Sequence, residues 1–216
     1  MSWNSCLYAY AQKRGGEYWG TAKDRWDGLL HTDYQGEPLL IRAVATGVGR
    51  YEAFYSLSAA FQITLERSFT CKITREKTVV QGAKTALSQV KRLAPQLPFG
   101  EDYGCPEISG KRIIKTSDKP FTKRVLSSID LRQDLLDMPP CGIVIAPLGP
   151  DSRYHQVSAM IDQDKTYQFL SLGAEAVSLT PEELQQVSED FESGLDKLIR
   201  LAWSARKAAT AWPMGG

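Results

Sequence analysis

The chain has 216 residues, 43% of them hydrophobic and 24% charged, and a formal net charge of +1. That composition supplies ample apolar material for a packed core, which argues against disorder, and a near-neutral balance disfavours nucleic-acid binding by bulk charge. Apolar runs such as Pro38–Ile41 and Gly142–Leu148 are far shorter than the roughly 20 residues that cross a bilayer, and no basic region precedes an apolar core at the N-terminus, so a cytoplasmic protein with no membrane association is expected.

Ser2 as an N-cap, with Trp3, Leu7 and Tyr10 on one face and Gly15-Gly16 as a stop, predicts an N-terminal helix. From Glu17 to about Arg75 the pattern changes to period two, with turn signals at Trp26-Asp27-Gly28, Tyr34-Gln35-Gly36 and Gly47-Val48-Gly49, which predicts an antiparallel meander. Phe61, Ile63 and Leu65, then Phe69, Cys71 and Ile73, share one parity, opposite to Gln62, Thr64, Thr70, Lys72 and Thr74. Because that parity survives Glu66-Arg67-Ser68 without Gly or Pro, one long bent strand is favoured there over a hairpin, which stays open as the alternative.

Val80, Ala83, Leu87, Val90 and Ala94 form a helical seam ended by Pro95, and residues 95–110 read as an irregular excursion, the one candidate boundary inside a single domain spanning 1–216. The run from Gly110 to Pro140 is the most explicit. A strand at Arg112–Thr116 leads through Ser117 and Asp118, both good caps, into a helix with Phe121, Val125 and Leu126 inward; Ser128 caps a second helix over Leu131–Met138, which Pro139 and Pro140 stop. Gly142–Ala146 is an apolar strand, turned by Gly149-Pro150-Asp151 into a return strand over Arg153–Ile161, and Thr166–Leu172 is a third. Thr180, Pro181 and Glu183 make a capping box for a long final helix from Pro181 to about Ala205, buried along Leu184, Val187, Phe191, Leu195, Leu198 and Ala202; the tail Thr210–Gly216 is read as loose.

The fold expected is therefore α+β: antiparallel strands with an N-terminal helix, short central helices and a long C-terminal helix packed on the sheet. Charge is uneven, with fourteen Lys or Arg against six Asp or Glu over 67–132 and four against twelve over 133–200, so the two segments are expected to attract.

No motif specifies chemistry. Cys6, Cys71, Cys105 and Cys141 are widely spaced and accompanied by only two histidines, which points to small buried side chains in a reducing compartment and not to a metal site. The stretch from Gly104 to Lys111 resembles a phosphate-binding loop but has five residues between its glycines where four are needed, and Arg112 stands where a Ser or Thr belongs. Gly47-Val48-Gly49 is followed by strand residues, so it is no dinucleotide fingerprint, and no cofactor is implied.

His155 lies near Asp151, Arg153 and Tyr154, but a turn at Gly149-Pro150 places it opposite Val144 and about 10 Å from Cys141, out of reach of a dyad. Strand alternation sends Lys111 and Lys115 to one face and Arg112 to the other, which, with Phe121 at a helical core position, breaks up the nucleic-acid surface that Lys119, Lys123 and Arg124 would extend. Glu182, Glu183, Glu189, Asp190, Glu192 and Asp196 are expected to solvate the outer face of the last helix.

Two blocks, Trp3-Asn-Ser-Cys-Leu-Tyr-Ala-Tyr-Ala-Gln-Lys-Arg-Gly15-Gly16-Glu-Tyr18 and Ile113 to Pro139, resemble an uncharacterised family of soluble bacterial proteins of unknown function. In that family the long strand passes more directly into the later segment, whereas this chain inserts Thr78–Ser109, and the shared blocks imply scaffold and no activity. The function expected is a non-enzymatic binding or interaction module for a protein or small-molecule partner, using the concavity between the long strand and the covering helices. An enzyme with a site around His155 is the alternative, and nucleic-acid binding through 111–124 ranks third.

Overall fold

A computed structural model describes residues 3–19, 27–47, 53–66, 68–74, 76, 102–147, 167–172 and 190–212. Helix α1 (Trp3–Arg14) turns Leu7, Tyr10 and Ala11 inward. It ends at Gly15, at φ +83°, whose N–H donates to the Ala11 carbonyl at 2.9 Å. Gly16 follows at φ +123°, and a Cβ on it would lie 2.6 Å from the His31 carbonyl oxygen, so the glycine pair both stops the helix and lets its exit press on a strand.

Strands β1 (Glu17–Trp19), β2 (Asp27–Tyr34), β3 (Glu37–Gly47) and β4 (Ala53–Thr64) form the expected meander. Between β2 and β3 the two loop residues Gln35 (φ 54°) and Gly36 (φ 81°) both take positive φ, the turn whose twist matches antiparallel strands. The remaining elements are β5 (Cys71–Ile73), α2 (Pro106–Ser109), β6 (Ile114–Thr116), α3 (Lys119–Val125), α4 (Ile129–Asp137), β7 (Ile143–Pro147), β8 (Tyr167–Leu172) and α5 (Phe191–Thr210). All eight strands among the described residues join one antiparallel sheet in the order β1-β2-β3-β4-β8-β7-β5-β6. The α+β class, with a helix at each end of the sequence and short helices between, is as the sequence predicts.

Residues 61–75 are neither one bent strand nor a hairpin. The chain leaves β4 at Thr64, crosses behind two other strands and re-enters the sheet at Cys71, three positions away and running in the opposite direction. Three strand spacings amount to about 14 Å, within reach of the intervening residues at roughly 3.3 Å each. The parity survives because Phe69, although outside any strand, is buried under α3 with its ring 4.8 Å from that of Phe121, edge to face. Leu39, Phe61, Leu170, Ile145 and Cys71 then stand in one row across five strands. The side chains of Leu39, Phe61, Ile145 and Cys71 belong to one core with Leu195, Leu198, Ala202 and Ala205 of α5. That core packs between β4 and the helices.

The caps fall where the sequence puts them. Asp118 Oδ1 accepts from the Phe121 N–H at 2.8 Å to start α3, and Ser128 Oγ accepts from the Leu131 N–H at 3.4 Å to start α4. The long helix does not run unbroken from Pro181: Asp190 is extended (φ −142°, ψ 167°), and its side chain accepts from the Ser193 N–H at 2.8 Å, so α5 begins at Phe191. It continues through Thr210, which takes the start of the supposed tail into the helix. The capping box at Thr180–Glu183, the seam at 78–94 and the return strand at 153–161 lie outside the described residues. Val144 faces Lys72 on one side and Ser171 on the other, so both edges of β7 are taken.

Arg112, 3% exposed, pegs the short central helices to the sheet. Its guanidinium donates to the carbonyls of Thr74 (3.0 Å) and Cys141 through one nitrogen and to those of Leu135 (2.7 Å), Met138 (3.1 Å) and Pro139 (3.3 Å) through the other. Leu135 and Met138 are carbonyls at the end of α4 that the helix leaves without intrahelical partners, and Pro139 is the first residue beyond its cap.

Candidate functional site

Three elements converge on a cleft of about 490 Å³. Helix α1 supplies Tyr10 and Arg14, the β2–β3 hairpin supplies Thr32, Asp33, Tyr34 and Leu39, and α5 supplies Asp196, Lys197, Ile199 and Arg200. The sequence brings them together for simple reasons. Tyr10 and Arg14 are one helical turn apart, Leu39 enters the core while its hairpin carries Thr32 to Tyr34 at the rim, and Asp196 and Arg200 are again one turn apart.

Ion pairs and hydrogen bonds fix the walls. The Tyr10 hydroxyl donates to Asp196 Oδ1 at 2.9 Å, Arg14 reaches Asp196 Oδ2 at 3.2 Å, and Lys13 reaches Glu192 at 2.6 Å. The Arg14 guanidinium also lies over the Tyr10 ring, 5.6 Å from its centroid. Burial, and then the bond to Asp196, hold the Tyr10 phenol well above its ordinary pKa.

On the other side Arg200 Nε donates to Asp134 Oδ1 at 2.8 Å, while Asp134 Oδ2 accepts from Ser204 Oγ at 2.6 Å. Asp137 stands 3.7 Å from the same guanidinium. Beneath the rim, the Tyr34 ring packs on Phe61 (6.0 Å) and Trp203 (5.7 Å), which makes that wall rigid and apolar. A smaller hollow of about 240 Å³ lies towards the C-terminal end of α5, beside Ser128, Lys207 and Trp212.

The residues singled out by sequence fare differently. His155 and Asp151 lie outside the described residues, as do Glu182, Glu183 and Glu189. Cys71, Cys105 and Cys141 are buried free thiols and Cys6 is half-buried. Burial pushes Cys71 up to about 12 and, helped by Glu107, Cys105 up to about 11, so neither is a thiolate at neutral pH.

The stretch from Gly104 to Gly110 encloses α2, with Ile108 and Ser109 buried and the Gly104 N–H held by Asp102 at 2.7 Å; it is a core-facing turn. In the basic segment Arg112 is the internal peg and Arg124 lies over the Phe121 ring at 5.8 Å, while Lys111, Lys115, Lys119 and Lys123 are exposed. Among the described residues no group of three His, Cys, Asp or Glu is placed to hold a metal, and no described helix is long and apolar enough to cross a membrane.

Glu192 and Asp196 correct the expectation for the last helix. They do not merely solvate it: they are where α1 docks, and Asp190 is its cap. Tyr10 and Asp134 were missed altogether. Tyr10 was assigned only to an apolar face, although a tyrosine there followed by an arginine one turn on is a signal for a polar anchor at the edge of a buried stripe. Asp134 carried no signal, since its partners lie 66 and 70 residues away. The blocks Trp3–Tyr18 and Ile113–Pro139 are α1 with its exit, and β6 through α4. Comparison with protein-family models, with curated proteins and with solved structures finds no match to this chain.

Proposed function

We propose that the protein is a non-enzymatic binding module that takes a small molecule in the cleft between α1, the β2–β3 hairpin and α5. The observation that carries this reading is the cleft itself: about 490 Å³, with the Tyr34 ring as its apolar wall and charged groups on two helices already held by partners. Ligand sites of small molecules have volumes of roughly 300–1,000 Å³ and combine an apolar lining with a few fixed polar groups. Buried free thiols support a reducing, cytoplasmic setting for that role.

The test is a fragment library screened by saturation-transfer NMR against the wild type and against Thr32→Trp, which fills the rim with a large ring. Hits that bind the wild type and vanish in the variant are expected. Hits that survive the substitution unchanged would place binding elsewhere and end the proposal.

A further inference from the structure

Arg200 is held from behind in a way that exceeds what joining two helices requires. Asp134 is 7% exposed, one of its oxygens is fixed by Ser204 and the other takes Arg200 Nε. The arginine side chain nevertheless remains 51% exposed at the cleft. A guanidinium has five donors in a rigid fork, and the bond to Asp134 uses the Nε–H. The fork is thus clamped along one edge and still half open to the cleft, the arrangement that suits a planar carboxylate.

Arg14, 53% exposed, paired with Asp196 and lying over the Tyr10 ring, adds a second cation from α1. Asp33 on the hairpin and Asp137, 3.7 Å from the Arg200 guanidinium, are the countervailing charges, and Asp196 is already engaged by Tyr10 and Arg14. A polyanion would meet Asp33, whereas a single negative charge seated on Arg200 need not.

We infer that the cleft selects a small organic monocarboxylate, its carboxylate on the open side of Arg200 and its apolar body against the half-buried Tyr34 ring. Asp134 and Ser204 are positioning residues that set the orientation of Arg200. This inference rests on the cleft being a ligand site, and the experiment separates the two claims.

The full-length ¹⁵N-labelled protein is titrated with sodium benzoate and, separately, with benzamide, its neutral isostere, at constant ionic strength. Amide shifts of residues 32–34 and 196–200 are followed. Benzoate is expected to give saturable shifts there at least fivefold tighter than benzamide. Arg200→Lys, a half-exposed change that keeps the charge but not the fork, is expected to lower benzoate affinity at least fivefold and leave benzamide unchanged. Ser204→Ala, which frees one oxygen of Asp134, should give a smaller loss in the same direction.

Equal affinity for the two probes, or an Arg200→Lys protein that loses stability yet binds benzoate as before, overturns the carboxylate inference while the cleft remains a binding site. Benzoate shifts scattered over surface lysines, with none saturating at the cleft from either probe, overturn both.

Discussion

Arg112 is one basic residue among several, and its neighbours do what basic residues ordinarily do: Lys111 and Lys115 meet solvent. Strand alternation made its inward direction legible. Its partners were not legible, because all five are main-chain carbonyls and carbonyls leave no mark on a sequence. Removing the side chain takes a donor from all five; the Met138 and Pro139 carbonyls keep the N–H groups of Cys141 and Glu76, while a buried oxygen left with none costs about 1–3 kcal/mol where water cannot replace it. Arg112→Met should therefore cost about 3 kcal/mol or more in urea unfolding. Arg112→Lys should recover only part, since a single ammonium cannot reach carbonyls spread over two guanidinium nitrogens. An unfolding midpoint equal to the wild type would remove the peg from the account. The Asp134 pair with Arg200 was hidden for a related reason: its chemistry is visible only once α4 and α5 lie side by side.

At the scale of elements, helix starts were readable where one residue bonds its own next turn, as at Asp118 and Ser128. The start of α5 was misplaced because Asp190, followed by Ser193, offers a second cap that the longer reading passed over. The crossing from β4 to β5 was invisible because Phe69 stays inside; parity reports burial and says nothing of which strand lies alongside.

Helix α1 is attached to α5 through Tyr10, Lys13 and Arg14, and the phenol makes that attachment sensitive to alkali. Burial, the bond to Asp196 and the charges of Asp196 and Glu192 raise its folded-state pKa above the unfolded value near 10, with Arg14 opposing. Its contribution is therefore whole below pH about 10 and is lost as pH rises through the folded value. The stability difference between wild type and Tyr10→Phe, about 1 kcal/mol for one hydrogen bond at neutral pH, should close as the solution passes pH 10. A difference that is the same at pH 8 and above pH 10 would contradict this.

Across the molecule, β8 joins the meander to β7, β5 and β6, pairing with Thr64–Ala60 on one side and Pro147–Ile143 on the other. A sheet in which one strand carries both halves should melt as a unit. Tryptophan fluorescence, which includes Trp203 against Tyr34 and Phe61, and far-ultraviolet circular dichroism should therefore trace one urea transition. Separate midpoints for the two signals would show that the halves unfold independently.

Since Tyr167–Leu172 is inserted between strands that precede it by twenty residues or more, a ribosome must release the chain through Leu172, about four fifths of its length, before the sheet can close. Until then β4 and β7 each offer an unpaired rim to any extended polypeptide nearby. Translation that stalls short of Tyr167 would yield a sticky fragment and a client for chaperones, whereas the completed chain carries its own plug for the gap.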